Sequence, residues 1–134
     1  MRTTTRVFIV GLALLGLACG DTAPRTLAGT WTATTLTITP TGQPTTDVLA
    51  AGGTLNIIVA ADMTTTGTLN IPSNVIGGPF NASMAGTATV NGNTVTFAQT
   101  ADSFVRDQSW SYDGSHLSTT RNSNGVIAVV LTRQ

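Results

Sequence analysis

The side chains able to do chemistry in this chain are few. There is one cysteine, Cys19, one histidine, His116, six aspartates and six arginines, with neither lysine nor glutamate. A Ser-His-Asp arrangement needs a base held by an acid and aimed at a serine. His116 has Asp113 and Ser115 close by, but Asp113-Gly114 is a hairpin-turn signal, and alternation with Leu117 sends the ring to solvent. Asp62 and Asp113 read as turn formers. Asp102, Asp107 and Asp113 lack the spacing of a calcium loop. Asp102 and Arg106, four apart, pair with each other if the segment is helical. One histidine cannot build a multi-histidine metal site, and one cysteine allows neither an internal disulfide nor a cysteine-based zinc site. Phosphate-loop and dinucleotide fingerprints are absent. The expectation is a protein with no catalytic residues, no metal and no cofactor. The formal net charge is zero, so no basic footprint for nucleic acid is expected.

The chemistry that does stand out is the lone cysteine. Arg2 and Arg6 precede an uncharged apolar run over residues 7–18, which ends in Leu17-Ala18-Cys19-Gly20. Twelve residues of helix reach about 18 Å, short of the roughly 30 Å of bilayer hydrocarbon. That is the size of a signal-peptide core. Small residues before a lone cysteine resemble the lipobox of bacterial lipoproteins, with Gly16 standing where that family usually has leucine. The resemblance implies that residues 1–18 are removed, that Cys19 is lipidated and becomes residue one, and that residues 19–26 form a short linker. It implies a membrane partner through the lipid on Cys19. Gly20, rather than aspartate, as second residue favours the outer membrane in a Gram-negative envelope. The processed chain would hold four arginines and six aspartates, a net charge of −2.

The elements that must position any site are strands. The length of 134 residues fits one domain, placed at residues 27–134, and 27 of the residues are threonine. β-Branched threonine and valine favour the pleated conformation, and glycine and asparagine supply turns. Apolar residues alternate with Thr, Ser or Asn in short runs, with no long 3.6-residue pattern. Strands are expected over 29–39, 54–60, 65–71, 82–90, 94–99, 107–112, 116–121 and 125–133. In the first, Trp31 and Ala33 share one parity and Leu36 and Ile38 the other, which predicts a bulge near Thr34-Thr35. Residues 47–51 read as one helical turn capped by Thr46 or Asp47 and stopped by Gly52. Residues 73–80 read as a loop and 101–106 as an irregular or short helical link. Met84, Gly86, Ala88 and Val90 are expected on one face, and Asn91-Gly92 makes a hairpin. The last strand is apolar on both faces, so Phe104 is expected to cover its outer side. Eight short strands with tight turns suit a small antiparallel up-and-down barrel, which removes exposed edges. A two-sheet β-sandwich is the alternative.

Gly29-Thr30-Trp31 opening the first strand and Arg133 closing the last resemble the lipocalins, and in particular short lipocalin-like lipoproteins of bacteria. The resemblance implies that Trp31 and Arg133 pack together at the closed end of a lipocalin-like barrel. The chain departs from animal lipocalins in its shortness and in lacking a Thr-Asp-Tyr motif, a disulfide and a C-terminal helix. Small barrels either fill their interior or hold one small ligand. Parity sends Phe97, Trp110, Tyr112, Leu117 and Arg121 inward, and these five are the candidate pocket, with Arg121 placed to meet a carboxylate. The expected function is binding of a small apolar or amphipathic molecule. The alternative is a structural or protein-interaction domain with a filled core and no ligand.

Overall fold

Alternation of apolar and polar residues gives each strand one face to bury, and ring closure buries all of those faces against each other. The computed structural model describes residues 26–134; the leader 1–18, Cys19 and residues 20–25 lie outside them. The strands are β1 (Gly29–Pro40), β2 (Thr46–Asp47), β3 (Thr54–Val59), β4 (Thr64–Ile71), β5 (Phe80–Ser83), β6 (Gly86–Asn91), β7 (Thr94–Gln99), β8 (Ser109–Tyr112), β9 (His116–Ser123) and β10 (Gly125–Arg133), with one four-residue helix, α1 (Ser73–Ile76). Eight of them form a closed antiparallel barrel in the order β1-β3-β4-β6-β7-β8-β9-β10, and β10 pairs back onto β1. Each neighbour in the ring is the next ring strand in the chain, so this is an up-and-down barrel. β2 and β5 lie outside the ring, on β1 and β4 respectively.

Closure rests on β1, which pairs with β10 from Trp31↔Arg133 to Pro40↔Gly125. The register shifts between Ala33 and Thr35. This is the bulge that the change of parity requires, and it lets Trp31, Ala33 and Leu36 all be buried. The expected turn after Thr46 forms: Asp47 Oδ1 accepts from the Leu49 and Ala50 amides at 2.9 and 3.1 Å, and Gly52 ends it at φ 94°.

Three expectations are corrected. The segment expected as one strand over 82–90 is interrupted at Met84-Ala85, although β5 and β6 keep a common register on β4 (Thr68↔Ser83, Thr65↔Gly86). Val90 is 41% exposed rather than buried with Met84 and Ala88. β6 pairs with β4 only at Gly86 and Thr87, so its far end projects beyond that neighbour. Phe104 does not cover the outer face of β10. It joins the inward-facing Ile38 and Ile127 at one end of the barrel, and Val126 on the outer face stays 38% exposed.

Among the described residues the strands run from Gly29 to Arg133 and the apolar core from Leu27 to Leu131. None of the helices among them is long and apolar enough to cross a membrane. A domain of this size buries roughly two-thirds of its unfolded surface and folds without staples.

Candidate functional site

The two ends of the barrel differ in chemistry. One is sealed by the chain entering β1. Residues 26–28 cross this end, where Leu27 is 1% exposed. Trp31 Nε1 donates to the Leu27 carbonyl at 2.9 Å, and the Tyr112 hydroxyl donates to the Thr26 carbonyl at 3.0 Å. The Arg133 guanidinium donates to the Ala28 carbonyl at 3.3 Å and also to the Thr26 carbonyl. Its Cζ lies 4.9 Å from the Trp31 ring centre, and Tyr112 meets the same indole edge-on at 5.9 Å and 77°. Trp31 and Arg133 are thus stacked, held there by the Trp31↔Arg133 register of β1 and β10. Together these bonds hold residues 26–28 across this end.

His116 and Asp113 sit at the same end, in the β8–β9 hairpin. Asp113 Oδ1 accepts from the Ser115 and His116 amides at 2.8 and 2.7 Å, and Oδ2 lies 3.1 Å from His116 Nδ1. The two amide donors, with His116 beside them, hold the Asp113 carboxyl at about 2, below its ordinary 3.8. The pair is exposed, and no serine hydroxyl among the described residues bonds the imidazole. Asp113 is therefore a turn clamp. A depressed carboxyl stabilises the fold above its unfolded value and loses that contribution as pH falls through the folded one. Asp113→Ala is expected to lower the melting temperature at pH 7, with the gap to the parent closing between about pH 4 and 2. A gap independent of pH in thermal melts would remove the clamp from the account.

The five candidate pocket residues separate. Phe97, Trp110, Tyr112 and Leu117 are all 3% exposed or less and fill the interior. Phe97 and Trp110 pack edge-to-face at 5.7 Å and 84°, Tyr112 belongs to the sealed end, and Leu117 is register partner to both Tyr112 and Leu131. None of the four lines a mouth. Arg121 does. It stands at the opposite end of β9, where Ile38↔Ile127 and Ile127↔Arg121 are consecutive partners across β1, β10 and β9. Partners across a sheet share a face, so the three side chains form one ridge on the inward side.

A depression lies on each flank of that ridge. One, of about 280 Å³, is walled by Pro40, Val126 and the β9–β10 turn. The other, of about 430 Å³, is walled by Ile71, Ile76, Phe80 and Phe104. Ile38, Ile127 and Arg121 line both. Asp102 borders the larger one, but its carboxylate is engaged by Arg106 at 2.7 Å, and Arg106 also approaches Asp107 at 3.7 Å. Arg121 has no ion-pair partner among the described residues. Below Phe104 the barrel is closed by the buried Val105 and by Gln99, whose side-chain amide is 4% exposed and has no protein partner.

Strand parity reaches Arg121 and Ile71, and Ile38 through the bulge, but not Phe80 or Phe104. That these five share one rim is not legible from parity, because only ring closure brings them together. Among the described residues there is no group of three or more His, Cys, Asp or Glu side chains placed to hold a metal ion. The arrangement offers, on an apolar ridge, one guanidinium with no ion-pair partner among the described residues. No known family model, curated protein or solved structure matches this chain.

Proposed function

We propose that this chain is an exported lipocalin-like lipoprotein, anchored to the cell envelope through a lipid on Cys19 (to the outer membrane if that envelope is Gram-negative), whose barrel binds a small apolar or amphipathic molecule at its unsealed end. The observation that carries the binding role is the asymmetry of the barrel. One end is sealed by bonded chain and a stacked Trp31–Arg133 pair, and the other carries apolar depressions around an unpaired cation. The anchor rests on the arginine-flanked apolar run and the Leu17-Ala18-Cys19 sequence. The anchored residue precedes the sealed end by only seven residues. Seven residues span at most about 25 Å even when fully extended, which favours the sealed end lying towards the membrane and the unsealed end away from it.

The filled interior favours a second reading, a structural or protein-interaction domain with no ligand. Native mass spectrometry of residues 20–134 incubated with envelope lipid extract separates the two. A stoichiometric small-molecule adduct is the expected result, and a clean apo mass across varied extracts would favour the second reading. The anchor is tested apart from the ligand. Cys19→Ser should abolish labelling by radioactive fatty acid and release the protein from the membrane fraction, and unchanged labelling would overturn the lipoprotein assignment.

A further inference from the structure

We infer that the Ile38–Ile127–Arg121 ridge selects the anionic head of a single-chain amphiphile and holds it at the rim, outside the barrel interior. The inference rests on the small-molecule reading above and names its ligand class. Placement at the rim follows from packing. Phe97, Trp110, Leu117 and Leu131 are all fully buried against one another's level of the core, so a ligand body has no empty interior to enter. The space at this rim is the pair of depressions, and Arg121 is the charged group common to both; a further depression of about 330 Å³, outside the barrel between β8, β9 and β10, has no charged side chain in its lining.

The sign of the head follows from what surrounds Arg121. A guanidinium offers a planar fork of donors suited to carboxylate, sulfate or phosphate oxygens. Arg106 and Arg133 already spend their forks, one on Asp102 and Asp107 and the other on the carbonyls of the sealed end. Arg121 spends none and is half-buried beside Ile127, where a bound anion is screened less than on open surface. Asp102, the carboxylate on the same wall, is paired with Arg106. The body of the ligand then lies on Ile71, Phe80 and Phe104 or on Pro40 and Val126. Volumes of about 280 and 430 Å³ stand near the low end of the roughly 300–1,000 Å³ of small-molecule sites, which suits one medium chain better than two.

The test is calorimetric titration of residues 20–134, which contain every described strand and core residue, with four ten-carbon probes at submicellar concentration: decanoate, decyl sulfate, decanol and decyltrimethylammonium. Both anions should bind, decanol about tenfold or more weakly, and the cation not measurably. Arg121→Gln should bring the anions down to the level of decanol, and Arg121→Lys should keep part of the preference. Thermal melts of both variants within a few degrees of the parent show that the fold is intact. Equal binding of decanol and the anions, or anion binding indifferent to Arg121→Gln, would overturn the inference while leaving a carrier. Failure of all four probes to bind would overturn the carrier reading together with it.

Discussion

Trp31→Ala is expected to cost about 3–5 kcal/mol of folding stability, the range for removing a fully buried tryptophan. Trp31 is 0% exposed, and its loss acts on more than volume. The Leu27 carbonyl loses its indole donor, Tyr112 loses its edge-to-face partner, and Arg133 loses the ring beneath it. The cation–π contact alone is worth about 0.5–2 kcal/mol. Single domains have only about 5–15 kcal/mol to lose, so the variant should melt on the order of 15 °C or more below the parent. Trp31→Phe is the informative companion. It keeps most of the apolar area but removes the N–H, and should cost about 1–2 kcal/mol. Chemical denaturation of both variants measures the ordering. A Trp31→Ala loss below about 1 kcal/mol would mean that the sealed end does not hold the barrel together.

The sealed end was the more legible of the two. Gly29-Thr30-Trp31 and Arg133 stand at opposite ends of the strand sequence, and any closed meander must bring its first and last strands together. Thr94–Gln99, which alternates without interruption, and Gly125–Arg133, an apolar run that follows a turn, have the bounds that their residues predict. The bulge at Ala33/Thr35 was equally readable, because a change of parity inside one apolar run has no other solution on a single face. What escaped was height along the barrel axis. A period of two tells which face a residue occupies, while strand tilt and stagger decide which residues share a level. Hence Phe97, Trp110, Tyr112 and Leu117 are inward as parity requires, yet at the level of the core, whereas Arg121, of the same parity on β9, reaches the rim. Residues 101–106 were opaque for a related reason. Their composition says irregular, and only the closed ring shows that Phe104 and Val105 turn in to cover one end. Gln99 continues the inward parity of Val95 and Phe97, so a polar residue is buried because of its place in the alternation, not its chemistry.

Gly67→Ala is expected to be among the most damaging single-methyl changes, costing about 2–5 kcal/mol from overpacking and backbone strain together. Gly67 lies inside β4 with φ +129°, a conformation that L-residues rarely adopt. It stands where the pairing of β4 passes from β6, at Thr64 and Thr65, to β5, from Thr68 onwards. There its backbone lies close against β3. A methyl would fall well inside contact distance of the Asn56 carbonyl oxygen and also meet Asn56 Oδ1. Neither atom can retreat cheaply, since Asn56 Oδ1 accepts from the Thr68 amide at 3.0 Å and the Asn56 backbone is held in register with Thr68. Gly42, at φ +74° with nothing within 4 Å of an added methyl, gives the cost of an alanine in the ordinary left-handed region without a clash. Gly42→Ala should cost only about 1 kcal/mol. The difference between the two variants in urea denaturation measures the clash at Gly67 together with its less accessible backbone angle. Equal losses would mean that β4 relaxes without penalty, and that the close approach of β3 does not constrain Gly67.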